Sequence, residues 1–252
     1  MTNNHTSPIS PSTPSTPSTP ASKTRKILVW DAPVRVFHWL LVLSFFGAYI
    51  TAESERWRLV HVTLGYTLGG LVALRILWGL VGTRYARFSS FVKGPSAVLA
   101  YLRSLKSPQP EHSVGHNPAG AVAIVLLLLS SVALVATGWA FYHEVGGEWL
   151  SEVHEVVGNL MLLLVGVHVA GVVVASWRHR ENLVRAMVTG KKDGQPQQGI
   201  KRAWWSLAGV MVLTVLNYWW LQWQSAPSGA DTAGAPTKAL EIKKAARDGD
   251  DD

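Results

Sequence analysis

Five apolar runs, at roughly residues 36–52, 61–82, 118–141, 153–176 and 203–223, constrain this chain more than any other feature. Each is almost free of charge, and a helix needs about 20 mostly apolar residues to cross a bilayer. Four runs reach that length. The first is shorter, but Asp31-Ala32-Pro33 supplies a helix start just before it, with Asp as N-cap and Pro in the first turn. That start extends the first helix from Pro33 to about Ala52, which is enough to span. The expected fold is all-α: an integral membrane bundle of four helices plus a fifth, C-terminal transmembrane helix. Composition agrees, since 48% of the 252 residues are hydrophobic and only 15% are charged, where soluble domains carry about one-quarter.

The formal charge of +7 raises the question of nucleic acid, and its distribution answers it. Basic residues crowd alternate connections. Lys23, Arg25, Lys26 and Arg35 precede or open the first run, Arg84, Arg87, Lys93, Arg103 and Lys106 follow the second, and Arg178, Arg180, Arg185, Lys191, Lys192, Lys201 and Arg202 follow the fourth. The connection between the third and fourth runs holds Glu144, Glu148 and Glu152 and no Lys or Arg. The positive-inside rule then fits one topology throughout, with the N-terminus cytoplasmic and the C-terminus outside. Orientation and anionic lipid account for the basic charge, and no nucleic-acid partner is needed.

The flanks are simple. Residues 1–26 form an expected disordered cytoplasmic tail that includes the repeat "PSTPSTPSTP", which cannot bury a core. No apolar stretch precedes Lys26, so a cleavable signal peptide is not expected. Residues 225–252 read as a second disordered tail. Between residues 82 and 117, "SAVLAYLRSLK" places Val98, Leu99, Leu102 and Leu105 at the spacing of a short helix lying on the cytoplasmic surface. The last run, 203–223, carries Trp204 and Trp205 at one end and Tyr218, Trp219, Trp220 and Trp223 at the other, like interfacial aromatic belts.

No cysteine is present, which excludes disulfides, thiolate metal sites, iron–sulfur clusters and Cys-attached haem. Histidine is the remaining candidate ligand. Of nine, His5, His112, His116 and His179 fall in tails or loops, where a solvated side chain is expected, and His143 falls at a membrane interface. Four lie within the apolar runs: His38, His61, His154 and His168. The alternating helix directions put His61 and His154 near the outer side. His168 lies fourteen residues beyond His154, about 21 Å deeper, level with His38. Fourteen residues at about 100° each fall roughly 40° short of four turns, so His154 and His168 share one side of their helix. A single intramembrane histidine is readily a bonded core residue. Four that sort into two level-matched pairs point to function, and facing imidazoles suit the axial positions of a haem iron.

Small and basic neighbours add to this. Gly65, Gly69 and Gly158 sit one or two turns from the ligand candidates, a spacing that suits either a porphyrin beside the helix or close helix–helix packing. Arg75, fourteen residues past His61, and Arg35, three before His38, are candidates to neutralise a propionate of the inner haem. Arg75 could instead snorkel to the surface. Asn117, just before Pro118, is a helix cap by position and a candidate quinone donor by chemistry, near a pocket placed between His38 and His168.

The segments "VWDAPVRVFHWLLV", "HVTLGYTLGGLVALRILWGLVGTRYARFSSFVKGPSAVLAYL", "GHNPAG" and "VHEVVGNLMLLLVGVHVAG" resemble the bacterial cytochrome b561 family, which includes the b-type cytochrome subunits of nickel–iron hydrogenases. Together they cover about Val29 to Lys192. The resemblance implies a domain at residues 27–192 that holds two haem b groups, with ligands matching His38, His61, His154 and His168. It implies electron transfer across a bacterial inner membrane, between an outer donor and the quinone pool. The donor would be a hydrogenase-like, dehydrogenase or cytochrome c partner, and the chain a carrier or an oxidoreductase subunit. The fifth helix departs from the four-helix pattern. Two other classes stay in view: a histidine-relay proton or ion transporter, and a membrane anchor subunit without redox function.

Overall fold

Asp31 starts the first long helix as expected. Its Oδ1 accepts a hydrogen bond from the Val34 N–H at 2.8 Å, and Pro33 lies in the first turn. The computed structural model describes residues 25–104, 107 and 113–225. Most of the two expected tails, the Pro/Ser/Thr repeat, His5, Leu105 and His112 lie outside the described residues. The order is β1 (Arg25–Leu28), α1 (Ala32–Thr51), a 3-10 turn at Glu55–Trp57, α2 (Arg58–Val81), α3 (Phe88–Phe91), α4 (Pro95–Ser104), α5 (Pro118–Tyr142), α6 (Trp149–His179), α7 (Leu183–Thr189), β2 (Lys191–Gly194), a 3-10 turn at Pro196–Gln198, and α8 (Trp205–Gln224).

Among the described residues, four helices are long and apolar enough to cross a membrane: α1, α2 with its preceding turn, α5 and α6. They pack as two pairs, α1 with α2 and α5 with α6, joined through α2 and α5. Phe45, Leu68, Val72 and Met161 form the buried core between them, and Leu127, Leu128, Leu134 and Val135 of α5 close over it. Leu129, Leu163 and Val173 stay exposed on the outer faces, the surface that lipid covers in a bilayer. The fifth apolar run is α8, 20 residues like α1. Asn217, Gln222 and its Trp and Tyr residues dilute its hydropathy. It lies along α1 and reaches α2, where Trp219 Nε1 donates to Thr67 Oγ1 at 2.9 Å.

One element departs from the all-α expectation. β1 and β2 form an antiparallel ribbon, with Arg25 opposite Gly194 and Leu28 opposite Lys191. The strands are four residues each and far apart in sequence, and "RKIL" and "KKDG" carry no alternating pattern. The ribbon exists because its flanks are held. Val29 N donates to Gly190 O at 2.8 Å, Ile200 N donates to Leu28 O at 2.8 Å, and Ala32 N donates to Ala203 O at 2.7 Å. Gly190 has φ +78°, and a Cβ there would stand 2.6 Å from Trp30 O, so the close approach requires glycine.

These bonds gather the start of α1, the end of α6 and the start of α8 at one end of the bundle. Asp31 brings the end of α2 to the same place, since its Oδ2 accepts from Trp78 Nε1 at 3.0 Å and from Thr83 Oγ1 at 2.6 Å. The basic connections therefore share one end, as a single membrane orientation requires.

Candidate functional site

The outer pair meets. His61 in α2 and His154 in α6 have ring centroids 6.1 Å apart with planes at 72°. Two imidazoles on one iron, each about 2 Å from metal to nitrogen, place their ring centres roughly 6 Å apart. The remaining nitrogens are satisfied as ligands require. His61 Nδ1–H donates to the Ala48 carbonyl at 2.8 Å. His154 Nδ1 lies 3.1 Å from Thr137 Oγ1, whose own hydroxyl donates to Ala133 O at 2.8 Å. The Thr137 oxygen thus accepts from His154 Nδ1–H. Both bonds fix the tautomer and leave each Nε2 lone pair for a metal. Gly138 makes room for the His154 ring, because a Cβ there would stand 2.8 Å from His154 Cε1.

The glycines divide between the two readings that spacing allowed. A Cβ on Gly69 would touch Val135 at 3.0 Å, so Gly69 serves close helix packing, while one on Gly158 would meet Leu134 only at an ordinary 3.7 Å. A Cβ on Gly65, one turn past His61, would meet nothing within 4 Å, so open space remains beside the histidine pair.

The inner pair is His38 in α1 and His168 in α6. His38 Nδ1 is buried and has no hydrogen-bond partner, so this nitrogen is held away from protein partners. The Phe45, Leu68 and Met161 core separates the inner pair from the outer one. Tyr49 Oη donates to Asn159 Oδ1 at 2.8 Å and ties α1 to α6 on the outer side of that core.

The basic candidates differ. Arg35 is spent on structure: Nη1 donates to Val188 O at 2.8 Å, Nε donates to Asp31 O at 3.4 Å, and the guanidinium stacks 4.7 Å over Trp205. Arg75 is buried at 5% exposure, with its guanidinium 4.9 Å over Phe88. Its Nη1 is buried without a partner, so it does not snorkel to water. Asn117 caps α5, its Oδ1 accepting from Gly120 N at 2.7 Å. His143 accepts or donates at Nε2 with Tyr66 Oη, 3.1 Å away, at the end of α5.

His116 is not the solvated loop residue expected. It packs against both Trp30 and Phe91, each with its ring centroid 4.5 Å away, and its Nδ1 is buried without a partner. Burial first, and then the charges of Arg75, Lys192 and His168, lower its pKa to about 3. Trp30 and Phe91 come from segments far apart in sequence, so no local pattern around "GHNPAG" announces the sandwich. Thr137 and Gly138 are further residues of the site that the sequence reading does not single out. A signal exists for them: the α5–α6 hairpin brings residue 137 opposite 154 by simple counting from the turn.

Among the described residues no three His, Cys, Asp or Glu side chains cluster as a metal site. A family model described as prokaryotic cytochrome b561 matches residues 29–190, a span that contains all four histidines, Arg35, Arg75 and Asn117. The chain is 30% identical over 142 residues to the probable Ni/Fe-hydrogenase 1 B-type cytochrome subunit of Escherichia coli (strain K12), covering 46% of this chain and 60% of that one. It is 24% identical over 215 residues to the probable Ni/Fe-hydrogenase B-type cytochrome subunit of Rhizobium leguminosarum bv. viciae, covering 67% and 89%. The Cupriavidus necator counterpart is 27% identical over 207 residues, covering 64% and 85%. The chain thus spans about three-fifths of the Escherichia coli relative and most of the other two. No solved structure matches it.

Proposed function

Because the chain belongs to the prokaryotic cytochrome b561 family, we propose that it is a transmembrane electron carrier that binds two haem b groups, one at each histidine pair. The observation that carries this reading is the outer pair, with ring centroids 6.1 Å apart and each Nδ1 engaged by a neighbouring oxygen. Haem supplies one-electron redox chemistry between the two faces of the membrane. His61 and His154 hold the outer group, and His38 and His168 the inner one. Arg75 offers its buried guanidinium to a propionate of the inner group. Arg35 is the weaker propionate partner, since its N–H groups already serve Asp31 and Val188.

On this reading the protein sits in a bacterial inner membrane with the β1–β2 end cytoplasmic, and α8 crosses as a fifth span. The acidic turn at Glu144–Glu152 faces outward, where a hydrogenase-like partner would deliver electrons, as the names of the relatives suggest. Quinone is the proposed acceptor near the inner pair. Asn117 keeps its amide N–H groups for that role while its oxygen caps α5.

Pyridine haemochrome analysis tests the proposal. Two protohaem per polypeptide with low-spin spectra are expected, with one lost in His154→Ala and the other in His168→Ala. Asn117→Ala should keep both spectra and slow reoxidation by quinone. A wild-type ratio near one, or a high-spin iron, would sink the paired-ligand assignment.

A further inference from the structure

The cytoplasmic end of the inner site gathers cations and, among the described residues, leaves no uncommitted acid to meet them. Arg75 from α2 is buried, and its Nη1 has no partner. His116 packs against the rings of Trp30 and Phe91 at tilts of 47° and 50°, and its Nδ1 also has no partner. Arg75, Lys192 of β2 and His168 of α6 all act on the charge of His116. The neighbouring acids are committed. Asp31 lies close enough for its charge to act on Arg75, but its oxygens already accept from Val34 N, Trp78 Nε1 and Thr83 Oγ1, and Glu181 pairs with the buried Lys192 at 3.1 Å. Burying polar groups without partners is costly, and buried cations retain a counter-charge. Two such orphans beside a cation cluster are arranged for an anionic group that the polypeptide does not supply.

We infer that Arg75 and His116 together bind a carboxylate of the group held at the inner histidine pair, with His116 as a positioning residue that donates the second hydrogen bond. This rests on the proposed inner haem, whose propionates are the carboxylates in question. The two packed rings restrict the imidazole, and a donor already held in place loses little entropy on binding. Charge-assisted bonds of this kind are short and strong. Burial first, and the surrounding cations second, keep the imidazole neutral, and a carboxylate between Arg75 and His116 offsets the second. Neutralising the propionate favours the extra electron of the ferrous state, so His116 sets the inner potential without touching the iron.

The test uses His116→Phe, which keeps the aromatic sandwich and removes the donor, and His116→Gln, which keeps a donor. Redox titration of the full-length protein in membranes, read from the α-band of each haem, is paired with a haem count. At fixed ambient potential, His116→Phe should lower the inner ferrous-to-ferric ratio roughly three- to tenfold. The outer ratio should not move, and His116→Gln should stay within about twofold of wild type. Loss of the inner haem in His116→Phe alone also supports the inference. An unmoved inner ratio in His116→Phe overturns it, as does an equal shift in both variants or inner-haem loss in both. A wild-type protein with a single haem instead removes the reading beneath it, and the two failures are told apart by the count.

Discussion

On the proposed reading, His154 needs more than its own ring to act as a ligand. Thr137 Oγ1 takes its Nδ1–H, and the absence of a Cβ at Gly138 leaves the ring its place. An outer-shell partner of a ligating imidazole typically contributes 10–100-fold in affinity by fixing orientation and basicity. Thr137→Val keeps the shape and removes the acceptor. It should weaken haem binding at the outer site by roughly tenfold or more and leave the inner site intact, as haem titration of the apoprotein would reveal. Binding at the outer site equal to wild type would mean that packing alone orients His154. His116 carries the opposite lesson. Its chemistry is visible in "GHNPAG", but its burial is not, because Trp30 and Phe91 reach it from distant segments.

At the scale of elements, Asp31 does for α1 what a cap does and then more. It closes the helix start through Val34 N, and it accepts from Trp78 and Thr83 at the far end of α2. A cap contributes about 1 kcal/mol, and each buried donor left unpaired costs about 1–3 kcal/mol. Asp31→Ala should therefore destabilise the bundle by about 3–7 kcal/mol, and Asp31→Asn by less, since its carbonyl still accepts. Thermal unfolding in detergent measures both. A loss below about 1 kcal/mol for the Ala variant would mean that water takes over the orphaned donors. The cap is readable from Asp31-Ala32-Pro33, while the two long-range donors are not. The β1–β2 ribbon is invisible in the sequence for the same reason. Its surface pair Lys26–Asp193, at 2.7 Å and largely exposed, adds little, and the bonds of its flanks hold it.

For the whole molecule, the end that collects β1, β2 and the basic connections opposes the turn between α5 and α6, which carries Glu144 and Glu148. The chain has no cysteine, so single cysteines report cleanly. In intact cells an impermeant thiol reagent should label Glu148→Cys and spare Lys93→Cys, and the reverse pattern would invert the topology. Sequence alone determined the four long apolar helices, their order, the charge asymmetry and the shared level of His61 and His154, because each rests on local hydropathy or helical periodicity. The β1–β2 ribbon, the aromatic clamp on His116, the Thr137 acceptor, the diversion of Arg35 to Val188 and the isolation of Arg75 came only with tertiary structure. Each joins residues whose separation along the chain is set by how the helices pack, and a one-dimensional pattern carries no information about which side chains then meet.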